Sequence, residues 1–227
     1  MDDREVAFMG RMTAGVTHEI KNILAIIKES SGLLQDIVRL GKGDAVLKPE
    51  QIEKVASRIQ AQVARGNEQL TSLNWLAHSV SDRGSSVEIN EISSQIVNLM
   101  QRFARLKRVE LEFQETDRDV TVHTDAARLL VVLVACIEYY LNRVPPRGRV
   151  LVRPGRRGEE ATLEIVAGSM DGSGTVTEIE AGGGALPSEL ANLEPLLGSL
   201  GARLVFADPG EGAELHLILP SRGDDDR

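Results

Sequence analysis

The stretch GVTHEIKNILAII, residues 15–27, combines the spacing of a helix with a cluster of polar side chains around one histidine. Apolar residues on both sides of it recur every three or four positions, which predicts an amphipathic helix from near the start of the chain to about Leu40. These apolar residues are Met9, Met12, Val16, Ile20, Ile23, Ile27, Leu34 and Val38. Because helical residues advance by about 100° each, Val16 and Ile20 lie about 160° from His18 around the axis. We therefore expect His18 to face solvent.

The neighbours of His18 suit a reactive imidazole. Asn22 and Ala14 share its face, one turn to either side, while Glu19 and Lys21 flank it. A neutral imidazole is a nucleophile, and a carboxylate beside it can accept a hydrogen bond from the ring and take up its proton. Asn22 could orient a phosphoryl oxygen or a water. The simpler interpretation is that His18 is one ordinary polar residue on a solvated face, and the motif alone does not overturn it.

A second helix follows the first after a short connection. The segment GKGDAVLKPEQ, residues 41–51, interrupts the first helix, and Pro49 suits the first turn of the next one. The second stripe ends before the polar linker SDRGSS, residues 81–86, and consists of Ile52, Val55, Ile59, Val63, Gly66, Leu70, Leu73, Ala77 and Val80. A lone hairpin buries single apolar faces poorly, so residues 1–82 are predicted to form a four-helix bundle as a homodimer.

The remainder of the chain mixes helices and strands. Residues 83–221 predict an α/β sandwich with helices on one face of a sheet, and residues 222–227 a disordered tail. Asp125 is the expected N-cap of a mostly buried helix. The predicted helices are 88–109, 125–144 and one near 187–200, and the predicted strands are 110–114, 120–124, 149–154, 161–168, 202–208 and 213–220. The fold class is therefore α + α/β.

Composition narrows the choice of partners and compartment. The net charge of −8 over 227 residues argues against nucleic acid or an anionic membrane as a partner. The single cysteine, Cys136, excludes an internal disulfide and fits a reducing compartment. The first residues lack the apolar region of a signal peptide, and the longest apolar run, about 129–137, is too short to span a bilayer. These features predict a cytoplasmic protein, and the spacing of His, Cys and Asp residues predicts no metal site.

The motif THEIKN, residues 17–22, resembles the phosphoacceptor box of two-component sensor histidine kinases. It lies on the first helix of a hairpin with an α/β sandwich behind it, so the resemblance covers nearly the whole chain. The resemblance implies that His18 is the phosphoacceptor, that Glu19 assists proton transfer and that Asn22 acts in phosphatase chemistry. One departure is Ile23, which stands where the family commonly has proline.

The same resemblance implies that the receiver domains of response regulators are partners. We expect them to dock below His18, on a surface formed by Ala14, Lys21, Ile26, Lys28 and Leu33. On the helical wheel, Ile26 and Leu33 lie about 60–80° from His18, between the reactive face and the apolar stripe. An apolar patch there could anchor a receiver helix. Alternatively, these two residues are the edge of an ordinary core.

The second half resembles the ATP-binding domain of the family but departs from it at the positions that the resemblance implies for nucleotide contact. In the frame set by the helix after Asp125, Tyr139 replaces the metal-associated asparagine and Ala135 replaces an earlier polar residue. Asn142 comes three residues too late. Ala167 stands at the position of the aspartate that reads adenine.

The glycine-rich segments do not restore that pattern. Asp171-Gly172-Ser173-Gly174 has the wrong spacing, and EAGGGALPSE, residues 180–189, has glycines without the expected order. Because triphosphate binding needs placed backbone N–H groups and a metal ligand, these departures predict that ATP does not bind.

The combined prediction is a histidine phosphotransferase that relays a phosphoryl group between receiver aspartates through His18. It needs no cofactor of its own, because the receiver supplies Mg²⁺. Three alternatives stay open: an ATP-dependent histidine kinase with an atypical nucleotide site, a receiver phosphatase, and a non-enzymatic dimerisation and docking module in which His18 is idle.

Overall fold

A computed structural model describes residues 3–40, 49–81, 85–116, 120–170, 176–178, 187–206 and 213–220. Several predicted features lie outside the described residues: the 41–48 connection, the motif at 171–174, residues 180–186 and the tail at 222–227. The described chain groups into two compact units. Met9–Asn74 form the helical unit, and the sheet unit contains Trp75 onward together with the first residues up to Phe8. The predicted domain bounds at 82 and 221 stay a prediction.

Two long helices make up the N-terminal part of the chain. Helix α1 spans Asp3–Leu40, and helix α2 spans Pro49–Ser81. The predicted end of the first helix at Leu40 and the predicted start of the second at Pro49 are both confirmed. A proline can open a helix because the N–H that it lacks would have no partner in the first turn.

The apolar stripe of the helical unit divides into two faces. Met12, Val16 and Ile23 on α1 are buried, but the polar residues Glu19 and Ser30 are buried on the same side. A second set of apolar residues is exposed or half-buried, and we call this set the open apolar face: Ile20, Leu24, Ile27, Leu34 and Val38 on α1, with Ile59, Val63, Leu70 and Leu73 on α2. The predicted apolar stripe is present on both helices, and part of each stripe is exposed in the single chain. The stripe is too wide for one neighbouring helix to cover.

Besides the ends of α1 and α2, the sheet unit contains three helices and eight strands within the described ranges. The helices are α3 Ile89–Lys107, α4 Ala126–Leu141 and α5 Glu194–Leu200, the last preceded by a 3₁₀ turn at Ala191–Leu193. The strands are β1 Ser85–Glu88, β2 Glu110–Phe113, β3 Thr121–Thr124, β4 Arg149–Arg157, β5 Glu160–Met170, β6 Val176–Glu178, β7 Arg203–Phe206 and β8 Ala213–Pro220.

One sheet has the order β2-β4-β5-β8-β7, with β6 paired to β5, and β1 and β3 form a separate antiparallel pair. Strand β2 is parallel to β4, and the other pairs of this sheet are antiparallel. Val152 opposes Ile165, which opposes Leu215 in turn, and all three are fully or almost fully buried. Since side chains alternate along a strand, this register gives the sheet one apolar face, against which the helices pack. The predicted α + α/β fold is confirmed.

Three local features differ from the sequence prediction. Part of strand β1 falls in the predicted polar linker, yet Ser86 and Val87 pair with His123 and Val122 of β3. Strand β6 has no counterpart among the predicted strands. The helix expected near 187–200 is shorter, because a 3₁₀ turn precedes α5.

Two further predictions concern helix α4 and the membrane. The cap on α4 is confirmed, since the Asp125 carboxylate accepts a hydrogen bond from the Arg128 N–H at 3.1 Å. Within the described ranges, no helix combines the length and apolar character needed to cross a bilayer.

Candidate functional site

His18 lies near the middle of α1 and is exposed, as its position on the helical wheel predicts. Asn22, one turn further on, is exposed as well. The Nδ2 atom of Asn22 lies 3.2 Å from Nδ1 of His18. Because an amide nitrogen can only donate, this contact is a hydrogen bond in the tautomer whose Nδ1 carries the lone pair and whose ring proton is on Nε2. The sequence predicts this proximity correctly, because positions four apart in a helix are neighbours.

Glu19 departs from its predicted setting. It is only 5% exposed, whereas the sequence predicts a carboxylate that bonds to the exposed imidazole ring beside it. Its Oε1 atom accepts a hydrogen bond from Nη2 of Arg65, which comes from α2. Position 19 is about 100° around the axis from His18, towards the buried side, and this rotation accounts for the burial. A charge-assisted hydrogen bond compensates the carboxylate for the water that it loses.

Arg65 is the site residue that sequence reasoning missed. Its side chain is 34% exposed, so the guanidinium reaches from the surface to the buried carboxylate. A signal was available in the sequence, because a carboxylate rotated towards an apolar face needs a cation on the neighbouring helix. Arg65 precedes Gly66, where an added Cβ would lie 3.6 Å from Ile23 Cγ2. The two helices therefore pass close together at this level.

The predicted docking residues flank His18 on two sides. Ala14, Lys21 and Lys28 are exposed and follow one another at intervals of seven residues, so they form one line along α1. Ile26 and Leu33 lie on the other side of His18. Leu33 is 47% exposed, whereas Ile26 is half-buried. Their roles in docking stay a prediction.

The position predicted for a metal-associated asparagine holds a packed aromatic cluster. The ring of Tyr139 contacts the rings of Tyr140 and Phe206 edge to face, with centroids 5.2 and 6.1 Å away. The Arg143 guanidinium lies 3.7 Å above the Tyr139 ring and donates to Glu189 Oε1 at 2.6 Å. We call these five residues the Tyr139 cluster. Burial raises the pKa of the Tyr139 phenol above its ordinary value, and the charge of Arg143 opposes this increase.

The other positions implied for nucleotide contact are also described. Ala167 is buried within β5, where it pairs with Val150 of β4 and Ala213 of β8. Asn142 is exposed at the C-terminal cap of α4, and Ala135 is half-buried. Among the described residues, no three His, Cys, Asp or Glu side chains are grouped so that they could hold a metal ion.

Two curated proteins resemble this chain in sequence, whereas no protein-family model matches it. The sensor histidine kinase ZraS of Salmonella typhimurium is 27% identical over 182 residues, which cover 80% of this chain and 35% of ZraS. ZraS of Salmonella typhi is 26% identical over the same length and coverage. The chain thus spans about a third of the length of these relatives.

Solved structures of histidine kinases resemble it in fold. The histidine kinase ThkA, in complex with the response regulator TrrA, superposes with a TM-score of 0.51 at 14% identity, covering 99% of this chain and 66% of that one. The histidine kinase AdeS of Acinetobacter baumannii gives a TM-score of 0.46 at 14% identity, with coverages of 86% and 96%. In sequence and in its α + α/β fold, this chain is therefore histidine-kinase-like.

Proposed function

We propose that this protein is a histidine phosphotransferase of a two-component system. His18 takes a phosphoryl group from the aspartate of one receiver domain and passes it to the aspartate of another, without ATP. The observation that carries this proposal is an exposed histidine on α1, held by Asn22, in a chain whose Tyr139 cluster stands where a kinase would need polar contacts to nucleotide.

The chemistry needs only the ring nitrogen and the phosphorylated partner. A lone pair of the neutral imidazole attacks phosphorus, the bond between phosphorus and the aspartyl oxygen breaks, and the carboxylate leaves with that electron pair. Transfer to the second receiver runs the same step in reverse. Nδ1 lies against Asn22, so Nε2 is the nitrogen that faces the partner, and it can attack only in the tautomer whose ring proton is on Nδ1. Mg²⁺ is supplied by the receiver, where it neutralises the phosphoryl oxygens.

The Tyr139 cluster supports the absence of ATP chemistry. A phenol packed against Phe206 and covered by Arg143 does not offer the amide oxygen with which asparagine would hold Mg²⁺. Arg143 is itself paired with Glu189. At the other position, the methyl group of Ala167 cannot accept a hydrogen bond from the adenine amino group.

The surface residues of the helical unit indicate two kinds of protein partner. The open apolar face repeats at alternating intervals of four and three residues, for example Ile20, Leu24 and Ile27, which is the spacing of helices that pack side by side. A second copy of the chain is the partner of that face, giving a homodimeric four-helix bundle. Receiver domains of response regulators are the phosphoryl partners, docked on Ala14, Lys21, Ile26, Lys28 and Leu33. ThkA, which shares the fold, was solved with a response regulator.

One alternative has an observation of its own. The similarity to ZraS covers 80% of this chain and so reaches into the sheet unit, which favours an ATP-dependent sensor histidine kinase with an atypical nucleotide site. In that case His18 would receive the γ-phosphoryl group of ATP. A receiver phosphatase is the second alternative, because Asn22 is placed beside His18, where it could orient a water.

The deciding experiment offers the full chain two phosphoryl donors. One arm uses radiolabelled Mg-ATP, and the other uses a panel of receiver domains phosphorylated with labelled acetyl phosphate and then freed of it. We expect label from at least one receiver and none from ATP, and we expect His18→Ala to abolish labelling. The matched control is His78→Ala, since His78 is also exposed on a helix and should not be needed.

Each other outcome selects another function. Label from ATP on His18, together with calorimetric binding of Mg-ATP, would replace the phosphotransferase by the kinase. Loss of phosphate from receivers without label on the protein would select the phosphatase. If neither donor labels the protein and the receivers keep their phosphate, His18 is idle and the docking module is correct.

A further inference from the structure

The neighbour that engages the His18 ring is Asn22, not the adjacent carboxylate. Nδ2 of Asn22 lies 3.2 Å from Nδ1 of His18, while Glu19 is buried and bonded to Arg65. Residues one apart in a helix point about 100° away from each other, whereas residues four apart lie on one face. The geometry therefore gives control of the ring to the amide one turn away.

An asparagine amide can set the tautomer of a histidine in either direction. Its nitrogen only donates and its oxygen only accepts, and a neutral imidazole has one N–H and one lone pair. With Nδ2 facing Nδ1, the lone pair of Nδ1 accepts the hydrogen bond and the proton is on Nε2. In this arrangement neither ring nitrogen presents an open lone pair to an incoming phosphoryl group. This tautomer is therefore a resting form of the ring.

We propose that Asn22 is a positioning residue that gates the nucleophilicity of His18. A half-turn of its amide presents Oδ1 to Nδ1, which moves the ring proton to Nδ1 and opens the lone pair of Nε2 to solvent. The catalytic consequence rests on the proposed transfer of a phosphoryl group to His18, but the tautomer itself does not. This role differs from the orientation of water or phosphoryl oxygen that the sequence suggested for Asn22.

Because Glu19 is paired with Arg65, we expect Asn22 and not Glu19 to set the tautomer of the His18 ring. The carboxylate is 5% exposed and receives a charge-assisted hydrogen bond from across the hairpin. Such a bond is shorter and stronger than one between neutral groups, so Arg65 competes well for the carboxylate. Neutralising Glu19 should accordingly leave the His18 tautomer unchanged.

The test measures the tautomer directly, by ¹⁵N NMR of ring nitrogens in the full chain labelled at histidine. Spectra are recorded at about pH 9, an alkaline pH that favours neutral imidazole. We expect an excess of Nε2–H in the wild type. The isosteric change Asn22→Asp supplies only acceptors and should reverse the ratio to an excess of Nδ1–H. Asn22→Ala should lower the Nε2–H fraction below that of the wild type, and Glu19→Gln should not alter it.

Two results would overturn the assignment. The first is a tautomer ratio that is the same in the wild type, Asn22→Asp and Asn22→Ala. The second is a ratio that changes in Glu19→Gln, because Glu19 would then be the controlling group. Asn22 is exposed, so both of its variants should keep the fold, and circular dichroism checks this.

The role assigned to Asn22 and the proposed function are tested independently, the first by the tautomer ratio and the second by the labelling of His18. If the tautomer responds as expected while no receiver labels His18, the proposed function fails and the assignment of Asn22 stands. If a receiver labels His18 while the tautomer ratio is the same in both Asn22 variants as in the wild type, the proposed function stands and the assignment of Asn22 fails.

Discussion

At the scale of single residues, Cys136 shows how burial alone changes chemistry. It is completely buried in α4, and desolvation raises the pKa of its thiol from 9.0 to about 12. Since the thiolate is the reactive form, we expect a thiol-specific reagent to leave the native protein unmodified and to react on unfolding. The time course of absorbance with such a reagent checks this, with Cys136→Ala as the blank. Rapid reaction of the native protein would contradict the burial.

The same shift has a consequence for stability at alkaline pH. The folded state holds the thiol proton more tightly than the unfolded state, so the stabilisation is complete below pH 9.0 and is lost as pH rises towards about 12. Urea unfolding across this range should show a steeper loss of stability in the wild type than in Cys136→Ala. Equal slopes would mean that the thiol ionises alike in both states.

Sequence periodicity predicted the exposure of His18 and its neighbour within the same helix, but not the contacts between different elements. The exposure of His18 and its contact with Asn22 follow from about 100° per residue within one helix. The partner of Glu19 does not, because Arg65 belongs to a different helix whose rotation and register depend on packing. The Tyr139 cluster was equally hidden, since Glu189 and Phe206 come from distant parts of the chain.

At the scale of secondary structure elements, the start of α4 depends on one carboxylate. Asp125 accepts a hydrogen bond from the Arg128 N–H at 3.1 Å, and its other oxygen lies 3.5 Å from Nε of Arg128. Asp125→Ala should therefore lower the free energy of unfolding by about 1 kcal/mol. Asp125→Asn, which keeps a capping oxygen, should lose much less. Urea denaturation of both variants checks this, and equal losses would assign the effect to charge instead of the cap.

The sequence pattern predicted the strands that have one buried face, but it did not predict a strand that lacks this alternation. In the middle of β5 the buried residues Leu163, Ile165 and Ala167 alternate with the half-buried Glu164 and Val166, a pattern typical of a sheet covered on one side. Strand β1 has the sequence SSVE, which carries no such alternation. Its pairing with β3 stabilises it, and the two strands are far apart in the chain. Local pattern could not reveal it.

At the scale of the whole molecule, the open apolar face predicts self-association. Leu24, Val63 and Leu70 are 58%, 47% and 53% exposed in the single chain, and covering them would recover apolar surface from water. Leu70→Asp would place an unpaired charge in that interface and should dissociate or unfold the protein. Leu106→Asp is the matched control, because Leu106 is 67% exposed on α3, outside this face. Sedimentation equilibrium checks both variants, and a monomeric wild type would contradict the prediction.

The Glu19–Arg65 ion pair should also resist sliding of the two helices of the hairpin past each other. Sliding α1 along α2 by one helical turn, about 5.4 Å, would carry the buried carboxylate of Glu19 away from the half-exposed guanidinium of Arg65, and separating a buried carboxylate from its cation is costly. A small rotation of either helix about its own axis can keep the two groups in contact, because the arginine side chain is long. A mechanical input to this hairpin would thus meet high resistance to piston-like motion and low resistance to twisting.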